Sequence, residues 1–325
     1  MERLRRLAGS LWVRFAVSVV LLTTVATRIN FGAASERILD GRWYVFAAAV
    51  AVSFGSFALA ALRWRLFLVA AGLEASGLRV IRAYLIGVFT LNFLPSQFGG
   101  DVARAYVIGR PGTRVAAGAT VVIDRVTAIA CLVLLALFTV AVWPGAVTGA
   151  IVYALAASAV ALVAGVLAAL LLSRQRGRLA RRLPTRVGGW GRVAVETARV
   201  CLRRDVIVKT VVLGVVFQLT TVFGLWLVAR SLELHLSFVL LAAVLPPVLL
   251  ISALPISIGG LGVREWSFVV LLGQVGISAT DATVLSLATA IAHAVAGLPG
   301  AAMLIVRLKP KATILTGTKE IEGGR

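Results

Sequence analysis

The chain has 325 residues, is 60% hydrophobic and carries a formal net charge of +20 from 33 Lys and Arg against 13 Asp and Glu. Its mean hydropathy is +0.99, whereas soluble domains are about 45–50% apolar, so a soluble globular fold is excluded. The basic residues stand mostly between apolar runs, where they set orientation and attract anionic headgroups, and they form no folded surface for reading nucleic acid.

Met1–Ile29 has a basic start, Glu2-Arg3-Leu4-Arg5-Arg6, followed by an apolar run. Arg14 interrupts that run, and the segment fills a slot in the repeat described below, so it reads as a retained first span over 11–28 and not as a cleaved signal. A second span is expected over 44–62, followed by Arg63, Arg65, Arg79 and Arg82. The apolar region 83–110 is interrupted by Pro and Gly and is followed by Arg114. Spans over 117–143 and 148–173 come next, joined by the uncharged Pro144-Gly145-Ala146-Val147-Thr148. The stretch 174–206 holds ten arginines, from Arg174 to Arg204, against Glu196 and Asp205. A span over 207–230, a second interrupted region over 238–276, a span over 281–306 and a tail over 309–325 complete the chain. Apolar runs of roughly 20 residues have the length needed to cross a bilayer.

Orientation follows from the loops. Excess Lys and Arg mark the cytoplasmic side, which places 174–206, the N-terminus and the tail there, in a multi-pass protein of the cytoplasmic membrane. Tracing the chain from those anchors makes 83–110 enter and leave on the cytoplasmic face and makes 238–276 do the same on the outer face. Full crossings of both regions would put the ten arginines outside. The expected fold is therefore an all-α polytopic membrane protein with six full spans and two re-entrant broken-helix hairpins, eight hydrophobic segments in one transmembrane domain. Trp12, Trp43, Tyr44, Trp64 and Trp143 fall near expected span ends, as an aromatic belt does.

The two interrupted regions share a pattern. The first reads Leu94-Pro95-Ser96-Gln97-Phe98-Gly99-Gly100 and reaches Arg104; the second reads Leu254-Pro255-Ile256-Ser257-Ile258-Gly259-Gly260 and reaches Arg264. Each half, 1–143 and 148–308, reads span, span, hairpin, span, and the halves begin on opposite faces. That is an inverted-topology repeat, an architecture of many secondary transporters; a fold built by duplication without transport is the bland alternative.

Pro95 and Pro255 disfavour helix at the preceding Leu, and the Gly pairs permit tight turns. New helices should start near Asp101, a candidate N-cap, and near Gly262. Helix N-termini present free N–H groups and partial positive charge, and a guanidinium beside one makes a phosphate site. The candidate substrate-binding residues are Arg104, Arg264, Gly99, Gly100, Asp101, Gly259, Gly260, Glu265, Asn92, Gln97 and Ser257. The alternative is bracing, with Arg104 paired to Asp101 and Arg264 to Glu265 or a distant carboxylate. Asp124 and Arg125 are coupling candidates or a structural pair, and His293 is a proton relay or a polar bridge between helices. Trp266 covers the site or packs.

The chain has no Walker loop, no Gly-x-Ser-x-Gly, no His-Glu-x-x-His and no Cys/His cluster, and its only histidines are His235 and His293. Cys131 lies in an apolar run and Cys201 in the basic stretch, without disulfide or metal spacing. No enzyme activity, cofactor or metal is expected.

The stretch from Arg63-Trp64-Arg65 through Asn92-Phe93-Leu94-Pro95, Gly99-Gly100-Asp101 and Arg104 to Asp124-Arg125 resembles the transmembrane flippase domain of lysylphosphatidylglycerol synthases, and so does Leu254 through Glu265. The resemblance covers nearly the whole chain. It implies a stand-alone member that translocates lipid, with no synthetase domain and no lipid aminoacylation of its own. It also implies an arginine, in many relatives, where the last span here has His293. The implied cargo is an anionic lipid, either an aminoacylated phospholipid or a polyprenyl-phosphate-linked lipid. Alternative functions are a membrane-embedded lipid-modifying transferase and a lipid-binding scaffold for a glycosyltransferase. A homo-oligomer and a lipid-synthesising partner enzyme are both compatible with the sequence.

Overall fold

The computed structural model describes residues 15–93, 99–142, 149, 152–153, 156–157, 159–160, 185–252, 257 and 260–308. The described residues form helices and no strand. In chain order these are α1 (Phe15–Ala26), α2 (Phe31–Leu39), α3 (Trp43–Ala70), α4 (Gly77–Phe93), α5 (Gly99–Ile108) and α6 (Arg114–Val142). They continue as α7 (Thr185–Cys201), α8 (Arg204–Ser231), α9 (Phe238–Ser252), α10 (Val263–Gly273), α11 (Ala279–Gly297) and α12 (Pro299–Leu308).

Among the described residues, four helices are long and apolar enough to cross a membrane: α3, α6, α8 and the combined Ala279–Val306. These match four of the expected spans, and the chain is a multi-pass membrane protein. The expected span over 148–173 falls largely outside the described residues. The first expected span, 11–28, is described from Phe15 as α1; just past it the chain bends, so that α1 and α2 meet at 83°, and the Asn30 side chain caps α2 by accepting from the Ala33 N–H at 3.2 Å.

Both interrupted regions are pairs of shorter helices packed on each other, α4 with α5 and α9 with α10. Residues 94–98, 253–256 and 258–259, including Pro95 and Pro255, lie outside the described residues. The second limbs start at Gly99 and Val263, within two residues of expectation. Where α4 and α5 cross, Gly87 and Gly100 sit back to back. A Cβ on Gly100 would strike the Gly87 carbonyl oxygen, and one on Gly87 would lie 2.8 Å from the Gly100 oxygen. Glycine at both positions is therefore what lets this pair close.

The helix α3 runs antiparallel to α8. The Arg42 N–H donates to the Ser231 carbonyl at 2.8 Å, Ser53 faces Gly224, and the Arg63 guanidinium lies over Phe217. Cys201, just before α8, donates its thiol to the Phe67 carbonyl at 3.5 Å. The remaining contacts come in matched sets: α6 packs on α8 as α11 packs on α3, and α6 packs on α9 as α11 packs on α4. A large apolar core joins α8, α9, α10 and α11, and a second one joins α3, α4, α5 and α6.

Three expectations change. The helix α3 runs to Ala70, so Arg63 is inside it and 1% exposed, not in a flanking loop. Trp64 is fully buried and is no belt residue, while Trp43 is exposed as a belt residue should be. Asp101 is the third residue of α5, not its N-cap, and Arg104 stands in the second turn.

Two outcomes are expected from this packing. A Cβ on Gly300 would collide with the Leu85 carbonyl of α4, so Gly300→Ala should lower the thermal unfolding midpoint in detergent by at least about 2 °C. Burial pushes the Cys201 thiol up to about 11, so at pH 7.5 its thiolate fraction is below about one in a thousand. In a Cys131→Ala background, N-ethylmaleimide should leave Cys201 unmodified at pH 7.5 and react faster as pH rises.

Candidate functional site

The site gathers on the first hairpin. Arg104 is buried, at 6% exposure, and its Nη1 donates to Asp124 Oδ2 at 3.0 Å while Nη2 lies 3.0 Å from Asp101 Oδ1. Asp124 itself is 1% exposed. Its other oxygen accepts from Arg63 Nε at 2.8 Å, and its backbone carbonyl accepts from Arg63 Nη2 at 3.4 Å. Arg125, the next residue, turns the other way on α6 and pairs with Asp101. Asp124 and Arg125 are thus not a pair with each other. They belong to one network of five charged groups carried by α3, α5 and α6.

Aromatic rings line this network. The Arg104 Cζ lies 5.0 Å from the Trp64 ring centroid and 5.1 Å from that of Tyr84, and the Arg63 Cζ lies 5.3 Å from that of Phe217. Trp64 is anchored by its indole N–H, which donates to Thr120 Oγ1 at 3.1 Å. Ring faces attract desolvated cations, which helps hold two arginines at a depth where each would otherwise be costly.

A cavity of about 160 Å³ opens beside the network, lined by Arg63, Asp101, Arg104, Asp124, Arg125 and Tyr84, with Gly87, Gly100 and Phe217 among its other walls. Two buried donors carried by residues of these walls have no hydrogen-bond partner, Arg63 Nη1 and Arg104 Nε. A buried donor left unpaired costs about 1–3 kcal/mol and more for a charged group. Gly100, the second residue of α5, is part of the cavity wall.

The second hairpin is built differently. Glu265, 1% exposed, accepts from the Gly262 N–H at 2.7 Å and so satisfies a backbone donor at the start of α10. Its other oxygen accepts from Arg264 Nη2 at 2.6 Å and Nε at 3.1 Å, with Ser286 Oγ at 3.5 Å. Gly260 and Gly262 take φ of 79° and 81°, which side-chain-bearing residues rarely adopt. A Cβ on Gly262 would also lie 2.9 Å from Leu21 of α1. Arg264 here braces a helix start, and neither it nor Glu265 lines the cavity beside Arg104.

The other sequence candidates fall as follows. His293 hydrogen-bonds through Nδ1 with the carbonyl of Thr289 on its own helix at 2.8 Å and leans on Phe57, ring to ring at 5.9 Å. Trp266 lies under Arg28 of the α1–α2 bend, 5.5 Å from its Cζ. Ser257 is buried. Asn92 lies in α4, but its side chain, with Gln97 and Gly259, is outside the described residues. Among the described residues no group of three or more His, Cys, Asp or Glu is placed to hold a metal.

Arg63 was missed because it ends an apolar run, where a basic residue ordinarily flanks a span. A signal was available: Arg63 and Arg65 stand two residues apart, about 200° around a helix, so in a packed helix one must face inward. Arg65 is exposed and reaches the Ala75 carbonyl at 3.3 Å.

A profile of the family described as the lysylphosphatidylglycerol synthase TM region matches residues 11–300. The chain belongs to that family, which ties it to membrane lipid. No match to a curated protein is found.

Asp124 pairs with two buried arginines at once. Asp124→Ala should therefore destabilise the protein by about 3–5 kcal/mol, the cost of stranding a buried ion-pair partner. Thermal unfolding in detergent should show a larger drop than Asp281→Ala, whose partner Arg37 is part-exposed.

Proposed function

We propose that this protein is a flippase that moves an anionic, phosphate-bearing lipid between the leaflets of the cytoplasmic membrane without covalent chemistry. The observation that carries the reading is the half-open cavity beside the first hairpin, where three guanidiniums meet two carboxylates. The lipid phosphate enters this cavity while the tails stay in the bilayer. A cavity of this size holds a headgroup fragment, since sites for whole small ligands run to roughly 300–1,000 Å³.

Two further observations support transport. Family membership ties the chain to a membrane-lipid function. The matched contacts, with the lead helices α3 and α8 antiparallel, are what an inverted repeat of span, hairpin and span generates. In that arrangement the two hairpins insert from opposite faces, both termini and the arginine-rich 174–206 lie on the cytoplasmic side, and the halves rock about the α3–α8 contact to alternate access. A separate enzyme supplies the lipid.

The halves share a scaffold but not a charge network. The two motifs are offset by 264 − 104 = 160 residues; at that offset Arg63 meets Phe223, and Asp124 and Arg125 meet Val284 and Leu285. Arg104 and the first hairpin hold the cargo, while Arg264 stabilises the second hairpin and moves with it.

The test is lipid scrambling in proteoliposomes read by dithionite quenching of fluorescent phosphatidylglycerol. Arg104→Ala should slow translocation at least about tenfold, the loss of a charge-assisted contact. A wild-type rate in that variant would remove the site assignment, and no translocation by the native protein would remove the function.

A further inference from the structure

The short helix α2 turns its apolar side outward. None of its nine residues is buried, and Phe31, Ile38 and Leu39 are 70%, 62% and 82% exposed. At about 100° per residue these three share one face with Ser35, and Glu36 lies about 160° around the helix from Ile38. The charged residues point elsewhere. Arg37 Nε donates to Asp281 Oδ1 at 3.1 Å, and the Asn30 N–H donates to Thr280 Oγ1 at 2.9 Å, so the helix is tied to the start of α11. Glu36, Arg37 and Asp40 line a half-open cavity of about 240 Å³ together with Glu233, just past the end of α8. Isolated helices shorter than about 12–15 residues are marginal in water, and a nine-residue helix with an uncovered apolar face gains little from its own packing.

Its level in the bundle says what covers that face. The α3 and Ala279–Val306 spans begin beside α2, and α8 ends there, with the Arg42 N–H donating to the Ser231 carbonyl. Trp43 and Tyr44, the first residues of α3, are exposed as well and continue the apolar face into an aromatic belt. Turned 83° from α1, α2 runs across these span ends and does not continue through the membrane. The contact of Cys201 with Phe67 marks the other end of α3, so α2 lies at the end of the bundle opposite the arginine-bearing α7.

We propose that α2 is an interfacial helix whose Phe31, Ile38 and Leu39 face seats in the acyl chains of the leaflet opposite α7, with Glu36 and Asp40 in the water above. The occupant is lipid, because the face carries no charge and runs on from the belt, while the charged side chains of the same helix line a wet cavity. Such helices bury the apolar face about 5–10 Å into the boundary between headgroups and acyl chains. Through Arg37 and Asn30, α2 then holds the start of α11 at the membrane surface. This contact is separate from the cavity beside Arg104 and holds whether or not the protein moves lipid.

Spin-label accessibility in proteoliposomes of phosphatidylcholine and phosphatidylglycerol tests it. In the full chain carrying Cys131→Ala and Cys201→Ala, single nitroxides would be placed through Phe31→Cys, Ile38→Cys, Leu39→Cys and Glu36→Cys, all at exposed positions. Power saturation with oxygen and with a water-soluble nickel chelate should put the first three labels about 5–10 Å below the lipid phosphates and the Glu36→Cys label above them. Nickel access at Ile38→Cys and Leu39→Cys equal to that at Glu36→Cys would place the face in water and overturn the proposal. Spin–spin broadening that unlabelled protein dilutes away would make the cover a second copy, and exclusion of both reagents would make it another part of this chain; either result overturns it. In the cysteine-retaining protein, bromines high on the acyl chains should quench a tryptophan signal that Trp43→Phe removes, and a Trp43 signal untouched by bromine would overturn the shared level of α2 and the belt.

Discussion

One carboxylate, Asp124, holds two buried guanidiniums that arrive on different helices, Arg63 on α3 and Arg104 on α5. That shared ion pair fixes the short helix α5 against α3 and α6, and with it the cavity. Buried ion pairs are poor sources of net stability, because desolvation offsets most of the attraction and apolar replacements often do as well or better. A network of five charges inside an apolar bundle is therefore hard to explain as bracing. On the proposed reading it is one half of a binding site, completed when an acidic ligand enters.

The opposite hairpin makes the contrast. Arg264 meets a single carboxylate, Glu265, which also accepts from the Gly262 N–H at the start of α10, so that pair balances one to one. Both hairpins rely on glycine, but for different physical reasons: Gly87 and Gly100 let two helices approach closely, whereas Gly260 and Gly262 supply left-handed backbone under α1. The two helix pairs are thus unlike: a cavity opens beside the charges of the first, and Arg264 and Glu265 of the second pair with each other.

Much of this was legible in the sequence. Apolar length marked α3, α6, α8 and the Ala279–Val306 span, and the Pro and Gly of each motif placed the second hairpin limbs within two residues. Both halves of the open question about Arg104 are visible, since it pairs with Asp101 and also faces a cavity. What sequence pattern did not show was the inward turn of Arg63, the burial of Trp64 and the separate neighbourhoods of Arg104 and Arg264. These depend on which face of a helix meets its neighbours. An apolar run that is hydrophobic all round does not encode that choice, because bilayer and protein interior favour the same side chains. The bend after Ala26 and the helix α7 in the arginine-rich stretch were likewise hidden, the first by a polar break read as a span end and the second by charge.

The most direct measurement is a solid-state NMR distance between lipid phosphorus and arginine side-chain nitrogen, with the nitrogen-labelled protein in phosphatidylglycerol bilayers. Dephasing by phosphorus of guanidinium signals that vanish in Arg63→Gln and in Arg104→Gln, but persist in Arg264→Gln, is the predicted result. Phosphorus contacts confined to Arg264 and exposed arginines, with none at Arg63 or Arg104, would contradict the account.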